Sequence, residues 1–364
     1  MKVEVLIYAY LAVCVAMIGF NIVCIFLFQR RDNEIEEKRF YYMGIIREQL
    51  DLDETTEEHR KYLLKRLSRI NGLLSFDKSL EFLYEKEPEK VQAYLHRLDN
   101  VFITLMQKYQ QRNEIQAAYF PYLIARYRLF RGEDYPQIHT ALSELLHNQS
   151  IYSRENALNA IYSIGISRNV VEALLIIDSN GYYHHKKLIT DGLMSFTGDK
   201  EELDHMLWDH LPRFSLNMQL SILDYIRFSS PNFKEKMFSL FSDKYDSEIH
   251  YCAIRYFGRY YYEPAYEKLM YFAENENSLH WEYTAITCSS LATYPGERTV
   301  EMLKKKLSSR NWYVRSNAAH ALDVMGLEYA DLVDVIQGED RFAGEIMRYQ
   351  FDRKKLNEKG GASA

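Results

Sequence analysis

The chain has 364 residues, of which 47% are hydrophobic and 14% aromatic, so it carries enough apolar surface to fold and is not a disordered chain. A formal net charge of −6 argues against general nucleic-acid binding, which depends on an excess of Lys and Arg. Only 7 Pro and 15 Gly interrupt the sequence, a composition that favours long helices. The four cysteines form no CxxC pair, which argues against a disulfide framework and a zinc site.

The first element is an apolar segment that we predict to cross a membrane. Residues 5–28 contain no charged side chain, and a helix of that length rises roughly 36 Å, enough to span a bilayer core with some tilt. A cleaved signal peptide is the competing interpretation, but its apolar core would be shorter and would end at a small-x-small site. Residues 30–39 carry four cations, whereas Lys2 stands alone on the other side. The positive-inside rule therefore predicts a single-pass protein with its N-terminus outside the cell and its bulk in the cytoplasm.

Small residues recur within this segment at three- and four-residue steps, at Ala9, Ala12, Ala16 and Gly19. This spacing places them on one helix face, where the helix of a membrane partner or of a second copy could approach closely. Ordinary anchor composition is the other interpretation of the same pattern. We expect the helix to continue over residues 29–52 as a charged juxtamembrane segment.

Residues 53–149 predict further helices without a clear motif. Thr55 and Thr56 followed by two glutamates are a start signal for an amphipathic helix over residues 60–74. Pro88 precedes a predicted helix over residues 91–109, and a helix over 117–130 is predicted to pair with one over 136–146. We interpret this region as divergent or capping repeats, because a stack of repeats needs an atypical end.

From residue 150 the sequence repeats itself, most clearly in residues 150–165 and 311–326. In both segments an Arg lies three residues before an Ala, a second Ala lies three residues after it, and a Gly follows at plus eight. The first Ala is Ala157 in one segment and Ala318 in the other. The same pattern holds more loosely, at steps of 31 to 33 residues by their numbers, around Ile189, Leu220, Ala253 and Ala285. Self-similarity at this period is typical of solenoid proteins.

These units resemble HEAT repeats of the armadillo-type superhelix family, over roughly residues 150 to 340. The resemblance implies an all-α fold, a right-handed α-solenoid of helix pairs with an extended concave surface for proteins or peptides. We therefore predict HEAT repeats over residues 150–350 and a flexible tail over 351–364. The family motif is structural, so the resemblance brings no catalytic, cofactor-binding or metal-ligating residue.

Two groups of side chains in the last repeats are candidate partner-binding residues. Tyr260, Tyr261 and Tyr262 follow Gly258 and so occupy a predicted turn between paired helices, where they either fill the core or meet a ligand. The second group is basic and consists of Lys304, Lys305, Lys306 and Arg310. It could contact an acidic protein or anionic lipid, and a solvated helix face is the alternative.

Two further groups were considered as metal ligands. Asp204, His205 and Asp209 could share a helix face, but we interpret them as part of a solvated second helix whose Leu207 points inward. His184 and His185 are adjacent, and neighbours on a helix point about 100° apart, so one ion cannot easily bind both. The sequence also contains no Gly-rich phosphate loop, nucleophile elbow or HExxH helix. We predict no metal, no cofactor and no small-molecule substrate.

These observations predict a membrane-tethered scaffold or adaptor that binds a membrane-associated protein, not an enzyme. The layout is similar to that of membrane-anchored bacterial HEAT proteins that accompany membrane glycosyltransferases in surface-polysaccharide systems such as exopolysaccharide synthesis. One alternative is a HEAT-like enzyme of the lyase or glycosylase type, which would need a concave cluster of Asp or Glu, Arg and aromatic side chains. The other is a single-pass sensor, for which a partner's transmembrane helix would be the only input.

Overall fold

The computed structural model describes residues 3–132 and 135–361, without the side chains of residues 3–6, 9 and 355–361. Within these residues the fold is all-α, as predicted: the structure contains twenty α-helices and no strand. The helices are α1 (Val3–Leu50), α2 (Glu57–Leu67), α3 (Ile70–Lys86), α4 (Pro88–His96), α5 (Asp99–Gln110), α6 (Glu114–Tyr127), α7 (Pro136–Leu146), α8 (Ile151–Ile164), α9 (Ser167–Ser179), α10 (Lys186–Met194), α11 (Lys200–His210), α12 (Leu216–Ser229), α13 (Lys234–Ser239), α14 (Ser247–Phe257), α15 (Glu263–Glu274), α16 (Trp281–Ser290), α17 (Glu297–Lys306), α18 (Trp312–Val324), α19 (Val333–Ile336) and α20 (Arg341–Gly361).

Helix α1 is continuous, and its two halves have opposite surroundings. From Ile7 to Phe28 the large apolar side chains are exposed, with Phe20 at 69%. From Ile35 onward one face is buried against α3 and α4, and Ser79 Oγ donates to the carbonyl of Arg39 at 2.8 Å. Among the described residues α1 is the one helix long and apolar enough to cross a membrane. The predicted juxtamembrane helix over 29–52 is thus the second half of α1.

The chain forms two compact units, and the first contains the residues up to Tyr182 together with Ser195–Asp199. In this unit α2 packs on α3 and α5, α5 on α6 and α7, α6 along α8, and α7 on α8 and α9. Large aromatic side chains fill its core, among them Tyr94, Phe102, Tyr109, Phe120 and Tyr127, all at most 2% exposed. Residues 150–182 therefore belong to the same unit as the upstream helices and do not begin a new one.

The second unit contains Tyr183–Met194 and the residues from Lys200 onward. Each pair of consecutive helices in this unit has a first and a second helix, and the first helices pack on each other in sequence order. The contacts are α10 on α12, α12 on α14, α14 on α16, α16 on α18 and α18 on α20. The second helices α11, α13, α15, α17 and α19 each pack on the first helix that follows them. Every pair in this unit thus contacts the next pair along the chain.

Several positions of the sequence pattern have a defined structural role in these helices. The Oδ1 atom of Asn311 accepts a hydrogen bond from the amide of Tyr313 at 2.8 Å and caps α18. Gly165 ends α8 in the left-handed region, with φ at +83°, a conformation that favours glycine. The Ala and Ile anchors of the pattern are at most 3% exposed. Leu220 is the exception: it is half-buried, whereas Ser221 is fully buried, so the predicted register of that repeat is one residue early.

The Arg of the motif closes the loop before its helix. Nη1 of Arg154 donates to the carbonyl oxygens of residues 148 and 149, at 2.7 and 2.8 Å. Nη1 of Arg315 donates to those of residues 309 and 310, at 2.6 and 3.2 Å. The Arg therefore satisfies loop carbonyls that have no helical partner.

The Asn of the motif joins neighbouring first helices. Nδ2 of Asn156 donates to the carbonyl of Ala118 in α6 at 2.9 Å. Nδ2 of Asn317 donates to the carbonyl of Ala285 in α16 at 2.8 Å. Both motif copies thus make the same bond to the preceding first helix in their own unit.

Several predicted boundaries differ from the structure. The predicted helix over 60–74 is divided between α2 and α3, and the one over 91–109 between α4 and α5. The predicted flexible tail over 351–364 is helical as far as Gly361, because residues 345–359 of α20 contain neither Gly nor Pro. Gln350 Nε2 also donates to Asp323 Oδ2 at 3.1 Å and holds α20 against α18. Residues 362–364 lie outside the described residues.

Candidate functional site

The three consecutive tyrosines lie in the turn between α14 and α15, as predicted, and their rings have three different environments. Tyr262 stacks on Phe257 with 5.7 Å between ring centroids, and its amide donates to the hydroxyl of Tyr294 at 3.2 Å. Tyr260 lies against Tyr256, whereas Tyr261 is 54% exposed. Of the three, only Tyr261 offers a large accessible ring surface.

The predicted basic group is divided by ion pairs within the protein. Lys306 is 9% exposed, and its Nζ lies 3.0 Å from Glu276 Oε2. Lys304 Nζ lies 3.0 Å from Asp334 Oδ1 and also donates to a backbone carbonyl. Lys305 and Arg310 are exposed. Lys306 must therefore be removed from the predicted partner surface, because its burial and its ion pair leave it inaccessible.

The tyrosines and the basic residues do not form one site. Tyr262 immediately precedes α15, whereas Glu276, the partner of Lys306, follows the end of that helix. Twelve residues of α15 correspond to roughly 18 Å of helix. The three tyrosines and Lys306 therefore lie at opposite ends of α15.

The residues considered as metal ligands do not converge. Asp204 is 2% exposed and accepts hydrogen bonds from Ser229 Oγ at 3.1 Å, and burial raises its pKa. His205 and Asp209 are exposed. His184 is buried, whereas His185 is exposed. In the described part of the chain no group of three His, Cys, Asp or Glu side chains could hold a metal ion.

The small residues in the first half of α1 are exposed. Ala12, Ala16 and Gly19 are exposed, and a Cβ atom placed on Gly19 would meet no other atom within 4 Å. The side chain of Ala9 lies outside the described residues. Nothing in the described part of the chain covers this face.

The sequence did not single out a cleft in the second unit lined by Arg227, Phe228, Arg255 and Arg259, which we call the arginine cleft. It is open to solvent and has a volume of about 460 Å³. The guanidinium carbon of Arg227 lies 4.4 Å from the centroid of the Phe228 ring and that of Arg259 lies 5.4 Å from it. Cation–π contact therefore holds both guanidinium groups at the mouth of the cleft.

Gly258 allows the cleft to form between α14 and α16. A Cβ atom at this position would lie 2.5 Å from Ser290 Oγ, so no larger residue fits without movement. Thr293 Oγ1 also donates to the carbonyl of Gly258 at 2.6 Å. Ser290, at the end of α16, and Asn317, in α18, form part of the cleft wall.

The charges of the arginine cleft are only partly balanced. Asp224 forms ion pairs with Arg227, at 3.2 Å, and with Lys186. Among the described residues neither Arg255 nor Arg259 forms an ion pair, and the hydroxyl of Tyr260 accepts from Arg259 Nε at 3.3 Å. A signal was present in the sequence: Arg227 and Arg259 are 32 residues apart by their numbers, which is the repeat step.

No protein-family model matches the chain, and no curated protein matches it.

Proposed function

We propose that this protein is a membrane-tethered scaffold built as a right-handed HEAT-like α-solenoid, and that it binds a membrane-associated protein. The observation that carries the proposal is the packing of each helix pair on the next in sequence order within the second unit. Helix pairs packed in this order form an extended surface, to which each pair contributes a few side chains. Such a surface suits a protein segment better than a small molecule, which is normally held in an enclosed pocket.

The tether is the first half of α1. Its large apolar side chains have no cover within the described chain, and exposed apolar surface of this extent is stable in lipid and not in water. The cations in residues 30–39 favour a cytoplasmic location for the bulk of the chain. Lys38 and Arg39 are held by Glu34 and Glu36 on the same helix, and the rule counts cations regardless of such pairs.

The uncovered face of Ala12, Ala16 and Gly19 is part of the same proposal. Small side chains let a second transmembrane helix approach closely, so a multi-pass partner could contact the anchor as well as the folded part. A membrane glycosyltransferase of a surface-polysaccharide system is the first partner class to test, on the resemblance in layout alone.

The enzyme alternative has one observation in its favour, because three arginines and an aromatic ring line the arginine cleft and one carboxylate lies beside Arg227. That carboxylate, Asp224, forms ion pairs with Arg227 and Lys186. Among the described residues, those that line the cleft include no Asp or Glu, so the cleft itself offers no carboxylate as a general base. The geometry therefore favours binding over catalysis.

The test is co-purification of the full chain from detergent-solubilised membranes after brief crosslinking. We expect an integral-membrane protein to be enriched above background. A variant with residues 5–28 replaced by an unrelated transmembrane helix separates the contribution of the anchor from that of the solenoid. Recovery of no integral-membrane protein with the natural chain would contradict the proposal, and protease protection of the folded part in right-side-out but not inverted vesicles checks the orientation.

A further inference from the structure

We propose that the arginine cleft binds a short acidic segment of a protein partner, with one carboxylate held between Arg255 and Arg259. This inference rests on the proposed function, because it names the chemistry of the segment that the scaffold binds. It adds a specific site, which the sequence pattern did not indicate, and a ligand class.

The first step is the charge balance of the cleft. The chain has a net charge of −6, and many of its cations lie beside carboxylates, as Arg298 does beside Glu267. Against this background Arg255 and Arg259 line one cleft with Arg227, and a single carboxylate, Asp224, contacts the group. Placing like charges together costs free energy, and an incoming anion removes that cost.

Helix dipoles explain part of this arrangement but not all of it. Arg227 and Arg255 lie in the last turns of α12 and α14, where the partial negative charge of the helix end favours a cation. That effect acts on each helix separately. It does not require the two side chains and Arg259, which lies beyond the end of α14, to line one cleft.

The second step is the shape of the cleft and the position of its donors. The Phe228 ring is 42% exposed and lies between Arg227 and Arg259, so it fixes the guanidinium groups before a ligand arrives. A guanidinium group binds a planar carboxylate through two parallel hydrogen bonds. The exposed Ser289 can bond to the backbone of a peptide that passes along the wall, whereas the side-chain NH2 group of Asn317 already donates to the carbonyl of Ala285.

The third step concerns the kind of anion. Glu248 and Glu282 lie in the first turns of α14 and α16, at the far ends of the helices that bear the cleft. The basic surface is therefore short along the helix axis, because α14 has eleven residues, roughly 16 Å. A long polyanion such as a nucleic acid would meet these carboxylates, whereas a short acidic peptide would not.

The experiment uses the full chain in detergent and a fluorescein-labelled peptide of alternating Glu and Ser, followed by fluorescence anisotropy. The expected result is saturable binding that weakens about tenfold in Arg255→Ala and in Arg259→Ala, since a hydrogen-bonded charge pair is worth about 1.4 kcal/mol or more. Arg213→Ala, an exposed change in the same unit, is the matched control and should bind as the natural chain does. Equal melting temperatures show that the variants fold.

The inference is overturned if the peptide does not bind, if a Gln and Ser peptide binds equally well, or if both cleft variants keep full affinity. It is also overturned if vesicles containing phosphatidylserine bind through these arginines while the peptide does not. Because the peptide assay contains no membrane partner, its failure is distinct from a failed co-purification. Peptide binding without a recovered partner would count against the proposed function alone.

Discussion

Helices α8 and α18 carry the same motif, and comparing them separates what the motif determines from what the surroundings determine. In both, an Arg holds the preceding loop, an Asn bonds to the preceding first helix and an Ala is fully buried. The glycines after them share a φ of +83°, yet Gly165 is tightly packed and Gly326 is open. The motif therefore determines the hydrogen bonds of the Arg and the Asn, whereas the residues packed around each position determine how much that position contributes to the free energy of unfolding.

The largest expected effect is at the buried Ala, where the two motif copies should respond alike. Ala157→Arg and Ala318→Arg each place a charged side chain at a position that is 0% exposed. We expect each to cost more than about 4 kcal/mol and to unfold its repeat, because the core must accept an unpaired charge and extra volume. Hydrogen exchange of peptides covering α8 and α18 measures the loss.

The control for this change is Val324→Arg, on the exposed side of α18, where Val324 is 59% exposed. It should leave exchange of α18 within about 0.5 kcal/mol of the natural chain. Unchanged protection in Ala318→Arg would show that the Ala is not in the closely packed position.

The glycines should separate the two copies most clearly. Gly165→Ala adds a Cβ atom 2.9 Å from Thr197 Oγ1 and 3.0 Å from the amide nitrogen of Gly198, whereas Gly326→Ala meets nothing within 4 Å. Both changes force Ala into the left-handed region, at roughly 1 kcal/mol. We expect about 2–3 kcal/mol at Gly165, since the overlap adds to the strain. Equal losses in hydrogen-exchange protection at the two sites would refute the role given to packing.

The motif arginines should differ by a smaller amount. Arg154 is 4% exposed, and its guanidinium carbon lies 4.1 Å from the centroid of the Tyr182 ring. Arg315 is half-buried, and its guanidinium carbon lies 5.6 Å from the centroid of the Phe342 ring. We expect Arg154→Ala to cost about 2–3 kcal/mol and Arg315→Ala about 1–2 kcal/mol, because bonds left unmade cost more where water is excluded. Lys substitutions, which keep the charge but not the shape, serve as controls. A larger loss at Arg315 by local hydrogen exchange would reverse the ranking.

The asparagines should give the smallest effect and no difference between the copies. Asn156 and Asn317 make the same bond at 2.9 and 2.8 Å, and both are half-buried. Asn→Ala at either position should cost about 1 kcal/mol, the usual worth of a neutral hydrogen bond. Asn→Asp, which keeps the acceptor and removes the donor, should cost at least as much. Unequal losses by hydrogen exchange would mean that the bond depends on its unit.

Local signals in the sequence predicted the starts and ends of many helices. Thr56 and Asn311 cap the first turns of α2 and α18, Pro136 begins α7 as predicted, and Gly165 ends α8. Each acts through its own backbone or through an amide a few residues away, so the sequence around it contains the whole cause. The all-α class, which the described residues confirm, was instead implied by the resemblance to HEAT repeats.

Long-range contacts account for what the sequence did not predict. The division of α2 from α3 occurs at Ser68, where neither Gly nor Pro is present, and Arg112 donates to the carbonyl of Ser68 from α5's end. The division of α4 from α5 lies at Arg97, whose Nη2 donates to the carbonyl of Gln49 at 2.7 Å. Both bonds cross more than forty residues, so no local pattern contains them.

The candidate site follows the same rule. Lys306 looked accessible because its partner Glu276 lies thirty residues earlier, and the arginine cleft is assembled from several helices. The repeat step does bring positions 32 residues apart into contact in principle. Applying it to charged residues as well as to the anchors would have placed Arg227 beside Arg259.

Helix α1 is continuous from one half to the other, and this continuity has a geometric consequence for the unit that packs against its second half. Its 48 residues make a rod roughly 72 Å long, and its second half packs on α3 and α4. In the proposed membrane-tethered arrangement, the direction in which the first unit faces around the bilayer normal is therefore set by the helical phase of α1 where it leaves the lipid. Inserting one residue near Asp32 would rotate that unit by about 100° and move it about 1.5 Å along the axis of α1. The side chains on the surface of the unit would then face in a different direction relative to a partner in the same membrane.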